Sequence, residues 1–191
     1  MRILFASSNK NKAREIRKMI PESFEMLTLD DINLNEEIPE TSATIEGNAI
    51  QKANYITQHF GLNCFADDTG LEVKSLKNAP GVKSARYAGD QRSDLDNMNL
   101  VLEGLKSEVD RSAQFKTVIA LNINGEQHLF EGIVKGEIRK MMTGTNGFGY
   151  DPIFEPENCG KTFAEMTLDE KNQYSHRARA LKNMMNYLAA K

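Results

Sequence analysis

The sequence predicts a mixed α/β fold, and three observations carry that prediction. The apolar run Arg2 to Ala6 passes through the polar "SSNKNK" into residues with helical spacing, a strand–loop–helix unit of the kind that opens α/β chains. Three later segments repeat an apolar stripe at helical period. Finally, Asn124-Gly125 sits between "AQFKTVIALNI" and "QHLFEGIVKGEI", the signature of a type I′ hairpin. An antiparallel hairpin over 113–138 argues against a purely parallel sheet, so a mixed sheet is expected.

Each element follows in order. Arg2 to Ala6 reads as a short buried strand, and Ala13, Ile16, Met19 and Ile20 mark the first helix, which stops at Pro21. The acidic "LTLDDINLNEEIPETSAT" reads as loop, with Pro39 against a helix. Ile45, Ala49, Ala53, Ile56 and Phe60 then form one stripe, started by Ser42 or Thr44 as cap. "LNCFA" reads as a strand that ends in "FADDTG". After the irregular "NAPGVKSARYAGDQ", a helix with Leu95, Met98, Val101, Leu102 and Leu105 opens on Ser93 and Asp96, a capping-box pattern. The hairpin follows, then the loop "GTNGFGYDP". Thr167 and Glu170 form a second capping box, and Ala180, Leu181, Met184, Tyr187 and Leu188 supply the closing helix.

Bulk properties exclude several function classes. With 191 residues, no internal repeat and no Gly-, Ser- or Pro-rich linker, residues 1–191 read as a single domain, with room for two lobes. A net charge of −3 and a pI near 5.7 argue against a duplex-binding surface, so nucleic acid is not an expected partner. Two distant cysteines, Cys64 and Cys159, support neither a disulfide framework nor a cysteine-rich zinc site. The N-terminal apolar stretch is too short for a signal sequence and no run approaches a membrane span. A cytoplasmic protein without a membrane partner is expected.

Five polar clusters could carry chemistry. Ser7, Ser8, Asn9, Lys10, Asn11 and Lys12 follow the first strand and open a helix, a place where N–H groups, hydroxyls and a lysine suit phosphate oxygens; the same residues could simply cap the helix. Glu40 precedes the second helix, and Lys52 lies about 60° from Ala49, at the flank of the apolar stripe, where its stem can pack while its ammonium reaches a cleft. In "FADDTG", Asp67 and Asp68 point to opposite faces if strand geometry persists, so only one enters a given cleft directly; one could bind a metal or take a proton from water while the other orients it or serves as a cap. A solvated Asp-rich turn is the competing reading. Phe148 and Tyr150, bracketed by glycines beside Asp151, offer ring faces to a base, or else are tucked into the core. Lys171, Ser175, His176 and Arg177 cluster at the start of the last helix as donors able to read purine carbonyls. The D-x-D-x-T spacing of a haloacid-dehalogenase phosphatase is absent, and so is the G-x-S-x-G elbow of a serine hydrolase.

In combination, "ASSNKNKAREI", "ETSATIEGNAIQKA", "FADDTGLEV", "NAPGVKSARYAG", "GTNGFGYDPIF" and "KTFAEMTLDEKNQYSHRARAL" resemble the inosine/xanthosine triphosphate pyrophosphatases, in order and over nearly the whole chain. The resemblance implies an elongated mixed α/β fold of two lobes with a central substrate cleft, and a homodimer. It assigns the Ser7–Lys12 loop and Lys52 to substrate phosphates, Glu40 and Asp68 to Mg²⁺, and Asp68 to general base. Thr69 stands where many members have serine and keeps the hydroxyl. Phe148, Gly149, Tyr150 and Asp151 match the base-binding loop, and Lys171, His176 and Arg177 its partners on the purine side. The implied reaction is hydrolysis of ITP, dITP or XTP to nucleoside monophosphate and pyrophosphate. A pyrophosphatase for modified pyrimidines and a nucleotide sensor without turnover are the rival readings.

Overall fold

The computed structural model describes residues 1–190. The chain runs β1 (Arg2–Phe5), α1 (Lys10–Met19), β2 (Glu25–Leu27), α2 (Ile45–Phe60), β3 (Cys64–Val73), β4 (Ala79–Gly81), α3 (Asp94–Gly104), β5 (Ser112–Ile123), β6 (Glu126–Ile138), β7 (Phe154–Pro156), α4 (Leu168–Tyr174) and α5 (His176–Ala189). The strands form one mixed sheet in the order β2-β1-β3-β5-β6-β7, with β4 paired to β3. β1 runs parallel to β2 and β3, whereas β3–β4 and β6–β7 are antiparallel. At the hairpin, Asn124 (φ 52°) and Gly125 (φ 82°) both take the left-handed conformation that a type I′ turn demands. Among the described residues no helix is long and apolar enough to cross a membrane.

Two compact units divide the chain: Met1–Asp68 with Thr117–Gly132 and Arg177–Lys191, and Thr69–Lys116 with Ile133–His176. Each has its own apolar core. The first gathers Ile3, Phe5, Ile16, Phe65, Ile119, Leu121, Leu181 and Met184, with Phe5 and Phe65 stacked at 4.9 Å. In the second, Leu71, Val73, Met98, Val101, Leu105, Val134, Ile138 and Ile153 surround Phe115, Phe154 and Phe163. Phe115 meets Phe154 edge-on, centroids 4.7 Å apart.

Several expectations are corrected here. β3 does not end at the aspartate doublet: it continues through Thr69 and Gly70 to Val73, because Leu71 and Val73 resume the buried alternation and pair with β4. The strands β2, β4 and β7 lie in stretches without a strand pattern; each is three residues long and takes its conformation from an established neighbour. Phe60 and Leu95 sit at helix ends, beyond the reach of the cores, and are exposed. The caps agree with the sequence: Thr44 accepts from Gly47 N at 3.0 Å, Ser93 from Asp96 N at 3.2 Å and Thr167 from Glu170 N at 3.2 Å.

The second core tests this packing directly. Phe154→Ala removes a fully buried ring held by Phe115 and Phe163 and should cost about 3–5 kcal/mol of unfolding free energy, measured by urea denaturation.

Candidate active site

In the first unit, functional side chains from α1, α2, β3 and α5 meet. Asn9 is the N-cap of α1: its Oδ1 accepts from the amides of Asn11 (3.0 Å) and Lys12 (3.1 Å), and its own N–H reaches Ser7 Oγ at 3.2 Å. The capping reading of this loop is therefore true of Asn9. Ser8, Asn9, Lys10 and Asn11 are exposed, Ser7 is half-buried, and the half-buried Lys12 reaches inward. Its ammonium donates to Asp67 Oδ1 at 3.1 Å. The second oxygen of Asp67 accepts from Arg177 Nε at 3.1 Å, and Arg177 Nη1 also donates to the buried Glu15. Burial opposes the charge of Asp67, yet Lys12, Arg177 and Lys52 hold it well below the usual carboxylate range. Burial pushes the Lys12 ammonium down; Asp67 partly offsets this, while Lys52 and Arg177 add to it.

Asp68 meets a different set of side chains, as alternation in β3 requires. Its Oδ2 accepts from Asn48 Nδ2 at 3.3 Å, and its Oδ1 lies 3.8 Å from the Lys52 ammonium. Lys52 also donates to Glu40 Oε1 at 2.5 Å. Burial raises the Asp68 carboxyl; Lys52 and Lys12 counter this, and Glu40 and Asp67 reinforce it. For Lys52, burial works against the charge, but Asp68, Glu40 and Asp67 outweigh it and hold the ammonium above its ordinary value. The loop that presents Glu40 is fastened back onto α2: Thr41 N donates to Gln51 Oε1 at 2.9 Å and Ser42 N to Asn48 Oδ1 at 2.9 Å. Among the described residues no three His, Cys, Asp or Glu side chains converge on one point. Two carboxylates of hard oxygen character do share Lys52, a donor set that fits Mg²⁺, which commonly takes one or two carboxylates and completes its shell with phosphate and water.

The second unit holds the aromatic loop. Gly147 has φ +77°, and a Cβ there would lie 1.9 Å from Asp151 Oδ2, so glycine alone fits. That buried carboxylate accepts from Phe148 N at 2.9 Å and from Lys171 Nζ at 2.5 Å. Lys171 lies 5.0 Å from the centroid of the Phe148 ring, within cation–π range. Gly149 N donates to Asp94 Oδ2 at 2.7 Å. Tyr150 is buried and its hydroxyl donates to Ser84 O at 2.8 Å, and burial pushes that phenol up. For Tyr150 the core reading is the correct one, while Phe148 remains half-buried. His176 stacks on Phe115 with centroids 4.5 Å apart, and Thr69 is half-buried in β3.

The trio expected at the start of one last helix is spread over two: Lys171 lies in α4, and His176 and Arg177 open α5. Lys171 and His176 belong to the second unit with the aromatic loop, whereas Arg177 pairs with Asp67 and Glu15 in the first. Glu15, Asn48 and Asp94 escaped the sequence reading. Asn48 had a signal, since it precedes Lys52 by one helical turn and shares its face. Glu15, on the flank of the α1 stripe, had none beyond being the single acid among the basic residues of α1.

Comparison with known proteins gives a consistent result. Residues 3–187 match the model of the Ham1 family. A protein of Flavobacterium johnsoniae named dITP/XTP pyrophosphatase is 58% identical over 190 residues, covering 100% of this chain and 99% of the relative. A Bacillus subtilis protein of the same name is 42% identical, over 98% and 96% of the two chains. Among solved structures, a HAM1 protein from Coxiella burnetii superposes with a TM-score of 0.92 at 37% identity, over 100% of both chains. The Staphylococcus aureus Ham1 protein gives 0.90 at 36%, over 100% of this chain and 99% of that one.

The helix bearing Lys171 yields a pH prediction. Bonds from Lys161 and from Thr167 lower the Glu170 carboxyl from its ordinary 4.5 to about 2. A depressed carboxylate stabilises the fold above its unfolded pKa and loses that contribution as pH falls through the folded one. Glu170→Gln should therefore be less stable than the parent at pH 7, with the difference closing as pH falls from 4.5 towards about 2, read by denaturation at a series of pH values.

Proposed function

The chain belongs to the Ham1 family, and on that premise we propose that it hydrolyses non-standard purine nucleoside triphosphates, dITP, ITP and XTP, at the α-phosphorus. The products are a nucleoside monophosphate and pyrophosphate, and the effect is to clear such nucleotides from the pool. One observation carries the reading: the Lys52 ammonium lies 2.5 Å from Glu40 and 3.8 Å from Asp68, so a cation and two hard carboxylates converge. That combination serves a triphosphate and its divalent ion together. The match over residues 3–187 supports treating the whole chain as one catalytic domain.

Each end of the substrate has a suited set of residues. Lys12 and Lys52 hold phosphate oxygens, helped by Ser7 and by the N-terminal turn of α1. Glu40 and Asp68 would hold Mg²⁺, which when bound neutralises charge on the phosphates and on the departing pyrophosphate. Asp68 orients a water molecule and accepts its proton as the water oxygen bonds to the α-phosphorus. The bond from that phosphorus to the bridging oxygen breaks, and pyrophosphate leaves with its electron pair. Asp67, neutralised by Lys12 and Arg177, keeps its charge in the interior and is not available as the base.

At the base end, Phe148 supplies a stacking face and Lys171 and His176 supply donors. A 6-keto oxygen on hypoxanthine or xanthine satisfies such donors. The 6-amino group of adenine would leave them unpaired, which is costly in a desolvated pocket. A homodimeric, cytoplasmic enzyme completes the proposal, the dimer supported by the family resemblance and the compartment by two distant cysteines with no disulfide framework.

Incubation with ITP and Mg²⁺ should yield IMP and pyrophosphate; IDP and phosphate would overturn attack at the α-phosphorus. Methylated pyrimidine triphosphates at equal concentration should be the poorer substrates. Asp68→Asn should lower kcat at least about a hundredfold while ITP still binds, measured by calorimetry beside the kinetics. Chelation of divalent ions should abolish turnover and Mg²⁺ should restore it.

A further inference from the structure

We propose that Asp94 is a positioning residue for the base-binding loop: its carboxylate sets the aim of the Phe148 ring and thereby the affinity for the purine. The inference rests on the reading of that loop as the base site.

Two peptide planes flank the Cα of Phe148, and both are pinned from one side by a carboxylate. The N–H of Phe148 itself donates to Asp151 Oδ2 at 2.9 Å, and the next N–H, that of Gly149, donates to Asp94 Oδ2 at 2.7 Å. Because each peptide is planar, restraining the two planes restrains both φ and ψ of the residue between them. The Phe148 side chain then leaves the backbone in one direction. Gly149 permits this arrangement, since it sits at φ +62° with nothing near the place of a Cβ.

The two anchors differ in strength. Asp151 is buried and shared with Lys171, so its hold on the loop is built into the second core. Asp94 is exposed, at the first position of α3, so its bond competes with water and is the anchor that can open. Helix capping does not account for Asp94. Ser93 is the N-cap and its side chain accepts from Asp96 N, which leaves the Asp94 carboxylate directed to the loop. An acid in the first helical turn suits the helix dipole, but Asp96 meets that preference equally and instead receives Gln91 Nε2 at 3.3 Å.

The test compares Asp94→Ala, Asp94→Asn and Asp96→Ala. In Asp94→Ala the Gly149 amide should exchange with solvent about tenfold faster, followed by NMR on the ligand-free protein. The KM for ITP should rise by about the same factor, with kcat little changed. Asn keeps an acceptor oxygen, so Asp94→Asn should recover most of both losses. Asp96→Ala removes an equivalent first-turn charge and should leave the Gly149 amide and KM as in the parent. Unchanged Gly149 exchange in Asp94→Ala overturns the anchoring. Equal effects from Asp96→Ala also overturn it, since helix stability would then be the cause. Faster exchange with an unchanged KM overturns the reading of the loop as the base site, and with it the role given to Asp94.

Discussion

A fully buried carboxylate, Asp67, constrains the first unit. An ionised group removed from water is tolerated only when charge partners and hydrogen bonds replace the solvent. Lys12 satisfies one oxygen of Asp67 and Arg177 the other, and Arg177 is buried in turn and requires Glu15. These four residues come from α1, β3 and α5. The chain therefore sets two helices against the strand by electrostatic need as well as by the apolar packing of Ile16, Phe65 and Leu181. Removing one member would leave the others as buried charges without a partner, a strongly destabilising change. Lys12 carries this constraint to the phosphate end of the proposed site.

The second unit repeats the device on a smaller scale. Asp151 is buried beside Lys171 and also accepts the amide of Phe148. One carboxylate thus neutralises a lysine and shapes the loop that bears the aromatic ring. Gly147 is the consequence in sequence, because the carboxylate occupies the space a Cβ would need. The Thr167–Glu170 capping box starts the short helix that delivers Lys171 to this point.

The doublet of Asp67 and Asp68 shows how neighbouring residues come to differ. Strand alternation sends one to Lys12 and Arg177 and the other to Asn48 and Lys52. Asp67 is held ionised by two cations in full burial, whereas Asp68 retains partial access and lies near a second carboxylate, Glu40. The same strand then crosses into the second unit at Thr69. A single β-strand thus bears the charge cluster of one unit and, at Leu71 and Val73, core residues of the other.

Much of this was legible in the sequence. Helix caps, the Asn124-Gly125 turn and most of the core stripes depend on local geometry, which neighbouring residues dictate. The opposite outlooks of Asp67 and Asp68 follow likewise from the two-residue period of a strand. The tertiary structure decided the rest. It gave β2, β4 and β7 their conformation by pairing, continued β3 past the aspartates, buried Tyr150 against Ser84, and paired Arg177 with Glu15 and Asp67. These outcomes depend on which charges and strand edges meet across distant parts of the chain. Residues 15, 67 and 177 share no local pattern, and the cost of burying a charge is settled only where they come together.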